Sequence, residues 1–341
     1  MPTFCRHNRF LVNCPICTRE QAEAARPRSP GVRSTGGPVT RTRPRATTRR
    51  TAARAGGGDL RVRRIARARD DGFRSPLVPG VRSSADAERL AEEVAFAAGR
   101  LKALAAAPPG LYAEVAGAPD REEATWLAFL IAYLGPLDGD DPFAGVRAVR
   151  TTWASGELPA LDGDVPLGPR TAHDPRRGTA TLAAYRAWAQ RAGSQEAALT
   201  GEAAWSAERR FARAFERLAL GGLHRDARFD FLVTLGQLGV YDMAPETLLL
   251  GAGAVTDDTV VAAKRVFGIG DPLLLERRAR ELAEAAEVPL AALDVGLWAW
   301  GRPARPAEPG QPPQPARATL GMPSAEPDAD AYATVAAALG L

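Results

Sequence analysis

The chain has 341 residues, 45% of them hydrophobic and only 6% aromatic, with 33 glycines and 28 prolines that mark part of it as linker rather than core. No apolar run reaches the roughly 18–20 residues of a membrane span, and three cysteines are too few for a disulfide scaffold. The net charge of +4 hides an asymmetry: residues 1–85 hold 19 arginines and 5 acids, a balance of +14, whereas the rest holds 25 basic and 35 acidic residues, a balance of −10. The opening Met1-Pro2-Thr3-Phe4-Cys5 lacks the apolar core of a signal peptide, so the expectation is a cytoplasmic protein with no membrane contact.

All three cysteines fall within the first 17 residues, as Cys5-Arg6-His7, then Cys14-Pro15-Ile16-Cys17. Zinc takes four tetrahedral nitrogen and sulfur ligands, and a C-x-x-C turn aims two thiolates at one ion. Cys5 and His7 supply the second pair, so residues 1–20 are expected to form a small zinc knuckle. A segment this short cannot order itself on an apolar core, so the metal would order it. Four protein ligands leave no open position, which makes the Zn²⁺ structural.

Residues 21–58 mix arginines, among them Arg26, Arg28, Arg41, Arg43, Arg49 and Arg50, with Pro, Ser, Thr and Gly and show no hydrophobic period. Such a segment cannot bury enough apolar surface to order itself. It reads as a positive tether to nucleic-acid phosphates, or as a solvated linker.

Residues 59–302 are expected to form a mainly α domain. Leu60–Arg67 alternates and Ser75–Val81 runs extended about an Asp70-Asp71-Gly72 turn, which predicts a short β-hairpin over 60–81. Helical periods follow. Asp86–Ala107 carries Leu90, Val94, Ala97, Leu101 and Leu104 on one face, and Asp120 caps a helix with Trp126, Phe129, Leu130, Tyr133 and Leu134. Phe143–Trp153 predicts a shorter helix, 156–177 a long loop, and Thr179–Arg191 and Ala203–Leu220 two amphipathic helices. The aromatic pairs Tyr185/Trp188 and Phe211/Phe215 belong to the core. Asp230–Leu238 predicts an apolar helix, Val240–Met243 leads into another short one, and Thr256 caps a helix running to Val266. His173 and His224 sit in loop-like contexts and read as surface residues. Residues 303–341 begin as a Pro-rich tail and end in an Ala-rich stretch, Asp328–Leu341, that suits a short helix.

Phe267-Gly268-Ile269-Gly270-Asp271-Pro272 joins two of these helices. Asp271 is a good N-cap, and Pro272 suits the first helical position. Glu276, Arg280 and Glu284 are spaced to pair at i,i+4 on the helix that follows. Two glycines let a backbone come close to a phosphate, and the first N–H groups of the next helix point outward. No strand precedes the turn and no third glycine follows, which excludes a dinucleotide fold. Pro289 opens a last helix bearing Asp294 and Trp298, one turn apart.

Helix, Val266-Phe267-Gly268-Ile269-Gly270 turn, helix, and then Leu293-Asp294-Val295-Gly296-Leu297-Trp298, with Asp294 lying 24 residues beyond Gly270, resembles the helix-hairpin-helix DNA glycosylase superfamily. The run Phe229–Gly301 is similar to its branch of α-glutamyl/putrescinyl-thymine pyrophosphorylases, in particular the third, bacterial clade. The resemblance implies a helical glycosylase-like domain, DNA as partner, and backbone contacts from Gly268, Ile269 and Gly270 with Lys264 and Arg265 beside them. It also implies Asp294 as the catalytic carboxylate. The substrate it implies is a flipped thymine- or uracil-type base whose pyrophosphorylated hydroxymethyl group exchanges pyrophosphate for an amine. Bifunctional glycosylases carry a Schiff-base Lys just after the second glycine, where this chain has Asp271, Pro272 and Leu273. That departure speaks against lyase chemistry and leaves monofunctional base excision or base modification.

A carboxylate such as Asp294 can activate a water or an amine, or stabilise a developing cation. Alternatively it interacts with the dipole at the start of its helix. The residues themselves leave three readings: a DNA base-modifying or base-processing enzyme, a non-catalytic zinc-containing DNA-binding module, and a zinc-dependent protein-interaction adaptor.

Overall fold

The computed structural model describes residues 68–161, 164–254, 256–303 and 319–341. The chain divides into two units, Met1–Arg61 and Val62–Leu341, and the described residues all belong to the second. The zinc ligands Cys5, His7, Cys14 and Cys17 and the arginine-rich segment 21–58 lie outside the described residues.

The described residues are mainly α, with twelve α-helices and no strand. The expected β-hairpin is corrected where it can be seen: 68–83 is irregular, and 60–67 lies outside the described residues. Pro76 and Pro79 have no N–H to give to a ladder. The segment instead closes on itself through Asp71 N–H to Arg82 O at 3.3 Å and turns at Pro79-Gly80.

The longest helix, α1 (Ser84–Ala106), buries Leu90, Val94, Ala97, Leu101 and Leu104 as their spacing predicts. It also buries Ala91, Ala95 and Ala98, because other helices cover it on more than one side. One is α11 (Leu290–Gly301), which crosses it at Gly296, where a Cβ would lie 2.6 Å from Val94 Cγ2. Any side chain there would push the two helices apart. Another is α12 (Ala329–Leu339), started by the Asp328 side chain, which accepts from Ala331 N. Asp328 N–H donates to Ala95 O at 3.0 Å, and the Arg100 guanidinium donates to Thr319 O and Leu320 O. The terminal Ala-rich helix therefore docks on its own domain.

Helices α2 (Leu111–Gly117) and α3 (Arg121–Leu134) follow. Asp120 caps α3 by accepting from Glu122 N. An aromatic stack fills the space between α3, α5 (Ala180–Ala192) and α8 (Arg225–Gln237). Phe129 and Tyr185 have centroids 3.7 Å apart at 15°, and Phe231 meets Phe129 edge-on at 5.6 Å. Each such pair contributes about 0.5–1.5 kcal/mol beyond area burial. Trp188, Phe211 and Phe215 are buried too, which bears out the core assignment of these aromatics.

Three helix expectations are corrected, each because side chains capture backbone groups. Helix α4 (Ala144–Val149) stops well before Trp153. The Glu123 carboxylate takes the N–H groups of Trp153 and Ala154, and Trp126 Nε1 donates to Thr151 O. Between Gln237 and Asp258 only a 3₁₀ turn, Leu250–Ala252, appears among the described residues, because the Glu276 carboxylate accepts from Leu248 N and Leu250 N. That same capture leaves Glu276 unpaired with Arg280, and the ion pairs on α10 (Pro272–Ala285) run from Arg277 and Arg278 to Glu281. Helix α7 (Ala207–Arg217) starts later than its pattern suggests, at the Ser206 cap, after a separate short α6 (Gln195–Thr200).

In its described residues the long loop after α4 runs irregularly, and two arginines pin it. Arg186 lies against both the Trp126 and Trp153 rings, at 4.7 and 4.4 Å from their centres, and donates to the carbonyls of Thr152, Trp153 and Glu157. Arg170, near the loop's far end, enters the site described next.

Candidate functional site: a charged cleft at one end of a helix

Helix α8 begins at Arg225, five residues before its apolar pattern would place it. That start puts Arg225, Asp226, Phe229 and Asp230 on one continuous helix. The loop carrying Arg170 is seated on the end of α3 by Gly168 N–H to Leu134 O and Ala172 N–H to Tyr133 O. Helix α9 (Asp258–Phe267) starts at the Asp257 cap, whose carboxylate accepts from Val260 N at 3.2 Å, and not at Thr256. Together with α11 these elements bring distant stretches of chain to one place.

At its centre lies Asp294, 0% exposed. Arg170 Nη2 donates to its Oδ1 at 3.0 Å, and Arg225 pairs with its Oδ2. Arg170 also grips Asp230 with two bonds, at 2.7 and 3.0 Å. Arg225 donates to Asp226 Oδ1 at 3.0 Å and to Leu248 O. Thr259 on α9 gives its hydroxyl proton to Asp226 Oδ2 at 3.0 Å. The Arg170 guanidinium lies 5.0 Å from the centre of the Trp298 ring. Buried charges persist only when paired and hydrogen-bonded in this way.

Burial disfavours the charge on both arginines, but the carboxylates around them outweigh it and raise their pKa. Burial likewise works against an ionised Asp226, yet Arg170 and Arg225 hold its carboxyl below the usual range. For Asp294 burial wins, pushing its carboxyl up against the pull of Arg225 and Arg170. Among the described residues Asp257 has no guanidinium in contact; burial, and then the charge of Asp226, push it up to about 7.

These groups back onto an open cleft of about 460 Å³ lined by Arg170, His224, Arg225, Asp226, Arg228 and Asp257, among others, with Trp298 in its wall. That volume is within the range of ligand pockets, roughly 300–1,000 Å³. Neither of the chain's two lysines, Lys102 and Lys264, lines it, so no lysine amine is in place for a Schiff base. No group of three or more His, Cys, Asp or Glu side chains suited to a metal occurs among the described residues.

Asp294 does not itself line the cleft; it meets it only through Arg170 and Arg225. The hairpin residues sit elsewhere, at the other end of α9. Gly268 takes the left-handed conformation that ends the helix, with φ +64°, and Asp271 caps α10 by accepting from Leu274 N. The last turn of α9 is covered: Gly80 N–H donates to Val266 O at 2.9 Å, and a Cβ on Gly80 would lie 1.9 Å from Arg265 O. Ile269 packs on the core, whereas Gly270 has open space beside it and Leu273 is 81% exposed. Lys264 is half-buried, and Arg265 lies 4.9 Å over the Trp300 ring, beside a small cleft with Gly80, Arg82, Ser83 and Asp86. Of the two loop histidines, His224 is exposed on the cleft, as its surface reading predicts. His173 is buried, a correction to its surface reading, with Nδ1 at 3.1 Å from the Tyr133 hydroxyl.

Arg170, Arg225, Asp226, Asp230 and Asp257 are absent from the sequence reading of the site. Their only local signals are the Thr256-Asp257-Asp258 helix start and a charged Arg225-Asp226 pair ahead of an apolar helix. Among the described residues no helix is long and apolar enough to cross a membrane. Comparison with protein-family models, characterised proteins and solved structures returns no match.

Proposed function

We propose that this protein is a DNA base-processing enzyme of the helix-hairpin-helix glycosylase type, acting in the charged cleft on a flipped thymine- or uracil-type base. One observation carries the reading. Arg170 and Arg225 join Asp294, the carboxylate at the position the resemblance marks as catalytic, to an open cleft that holds a second acid, Asp257. A base inside a duplex is out of reach of any such site, so the enzyme takes it out of the stack, at about a few kcal/mol. The Gly268–Gly270 turn, with Gly270 open, suits a backbone contact that holds the opened strand. In this reading the arginine-rich segment 21–58 adds sequence-independent affinity. Cys5, His7, Cys14 and Cys17, three thiolates and an imidazole, hold one structural zinc.

Mass spectrometry of nucleosides and free bases tests the chemistry. The substrates are duplex DNA carrying thymine, uracil, 5-hydroxymethyluracil or its pyrophosphorylated form, with and without a primary amine. A base of altered mass is the expected product and identifies group replacement. Release of a free base identifies a monofunctional glycosylase. DNA that is bound but unchanged reduces the protein to a binding module, and DNA that is neither bound nor changed refutes the reading.

A further inference from the structure

The catalytic carboxylate named by the resemblance has no face on the cleft, whereas another one does. Asp257 lies on the cleft wall at the start of α9, held by its capping bond from Val260 N. Asp226, Arg225 and Arg228 face it from α8, Asp294 from α11, and His224 and Asp258 from the cleft rim. Asp226 is committed to Arg225 and Thr259, and Asp230 to Arg170. Among the described residues, Asp257 is the one carboxyl lining the cleft that is both partly buried and free of a guanidinium contact. Arg170 and Arg228 also line the cleft, and their Nη1 and Nε, on side chains more than nine-tenths buried, have no acceptor among the described residues.

Resting on the base-processing reading, we propose that Asp257 is the proton-transferring catalytic residue of the cleft. Asp294 is then a positioning residue that holds Arg170 and Arg225 from behind. The site suits a planar heterocycle with carbonyl oxygens, which accept from the guanidinium side, and a reacting atom beside Asp257. The proton count closes. A leaving group departs with its bonding electron pair and takes the proton of Asp257. The nucleophile, water or a primary amine, adds and gives up one proton to the resulting carboxylate. Asp257 ends the cycle as it began. Its near-neutral titration, set by burial and by Asp226, matches a group that must both give and take a proton at neutral pH.

The test uses the full chain. Asparagine caps helices as well as aspartate does, so Asp257→Asn removes the proton and keeps the start of α9. Carboxyl-carbon NMR of protein labelled with ¹³C-aspartate should show one resonance titrating near 7, lost in Asp257→Asn and moved down in Asp226→Asn. With the DNA substrates above, Asp257→Asn should lower turnover by roughly 10²–10⁴-fold and remove the near-neutral limb of the pH profile. Asp257→Glu should restore part of both. Asp294→Asn should lower turnover but keep that limb. A resonance of Asp257 in the ordinary carboxylate range overturns the inference whatever the DNA assay gives. Product formed as fast by Asp257→Asn, with an unchanged pH profile, overturns it while leaving the base-processing reading intact. No product from the wild type overturns that reading, and this inference with it.

Discussion

The two ends of α9 are built on different principles. Its C-terminal end is a local device: a left-handed Gly268, a capping Asp271 and a Pro272 in the first turn, all within six residues of one another. Its N-terminal end is a junction, where Thr259 meets Asp226 from α8, Asp226 pairs with Arg225, and the network reaches Asp294 and Arg170, with Asp257 capping the helix beside it. Ten helical residues separate the two ends, about 15 Å at 1.5 Å per residue. The resemblance assigns backbone contact to the hairpin and catalysis to Asp294 in a pocket close by. The structure puts the Gly268–Gly270 turn and the charged cleft at opposite ends of one helix, which spaces them apart.

Breaking the junction should cost most. Arg170→Ala leaves Asp294 fully buried with one fewer partner and frees Asp230. Removing one member of a buried pair costs about 3–5 kcal/mol, so the urea midpoint should fall steeply. A midpoint within error of wild type would show that the network does not hold the fold together.

The hairpin should respond in smaller and separable steps. Gly268→Val forces a branched residue to φ +64° against Gly80, whose Cα would lie 3.4 Å from the new Cβ. The backbone strain is about 1–3 kcal/mol, so this variant loses stability before it says anything about DNA. A Cβ added at Gly270 would meet no atom within 4 Å, and the backbone there has no positive φ, so Gly270→Ala should melt with the wild type. If the turn contacts phosphate, Gly270→Ala should weaken DNA binding all the same. Equal DNA affinity for Gly270→Ala and wild type would remove the hairpin from the interface.

The last effect is a pH dependence. Asp257 is raised to about 7 in the folded protein, above the ordinary carboxylate value it has when unfolded. The folded state therefore binds the extra proton, and stability is lost as pH rises from the ordinary value through about 7. Asp257→Asn has no such loss. Its melting temperature relative to wild type should rise between acidic pH and pH values above that midpoint, and a difference independent of pH would place Asp257 in an ordinary, solvated environment.

Local chemistry made the elements legible. The apolar spacing of α1 and α3, the Asp120, Asp271 and Asp328 starts, the aromatic core pairs and the Gly268 helix end all follow from short-range preferences. Helix ends blurred where a distant carboxylate took the backbone N–H groups, as Glu123 does for Trp153 and Ala154 and Glu276 for Leu248 and Leu250. A residue far away in sequence leaves no trace in the local pattern it overrides.

What the sequence determined by itself was the helical class, the linker-like composition of its ends, the charge asymmetry and the Gly268–Pro272 turn. Each depends on composition, or on propensities and hydrogen bonds that span a few residues. Only the tertiary structure decided that Arg170, Arg225, Asp226, Asp257 and Asp294 share one place, and which of their carboxyls faces the cleft. A charge is buried or exposed, and titrates where it does, according to groups that arrive from other parts of the chain, and that arrival is a property of the packed fold alone.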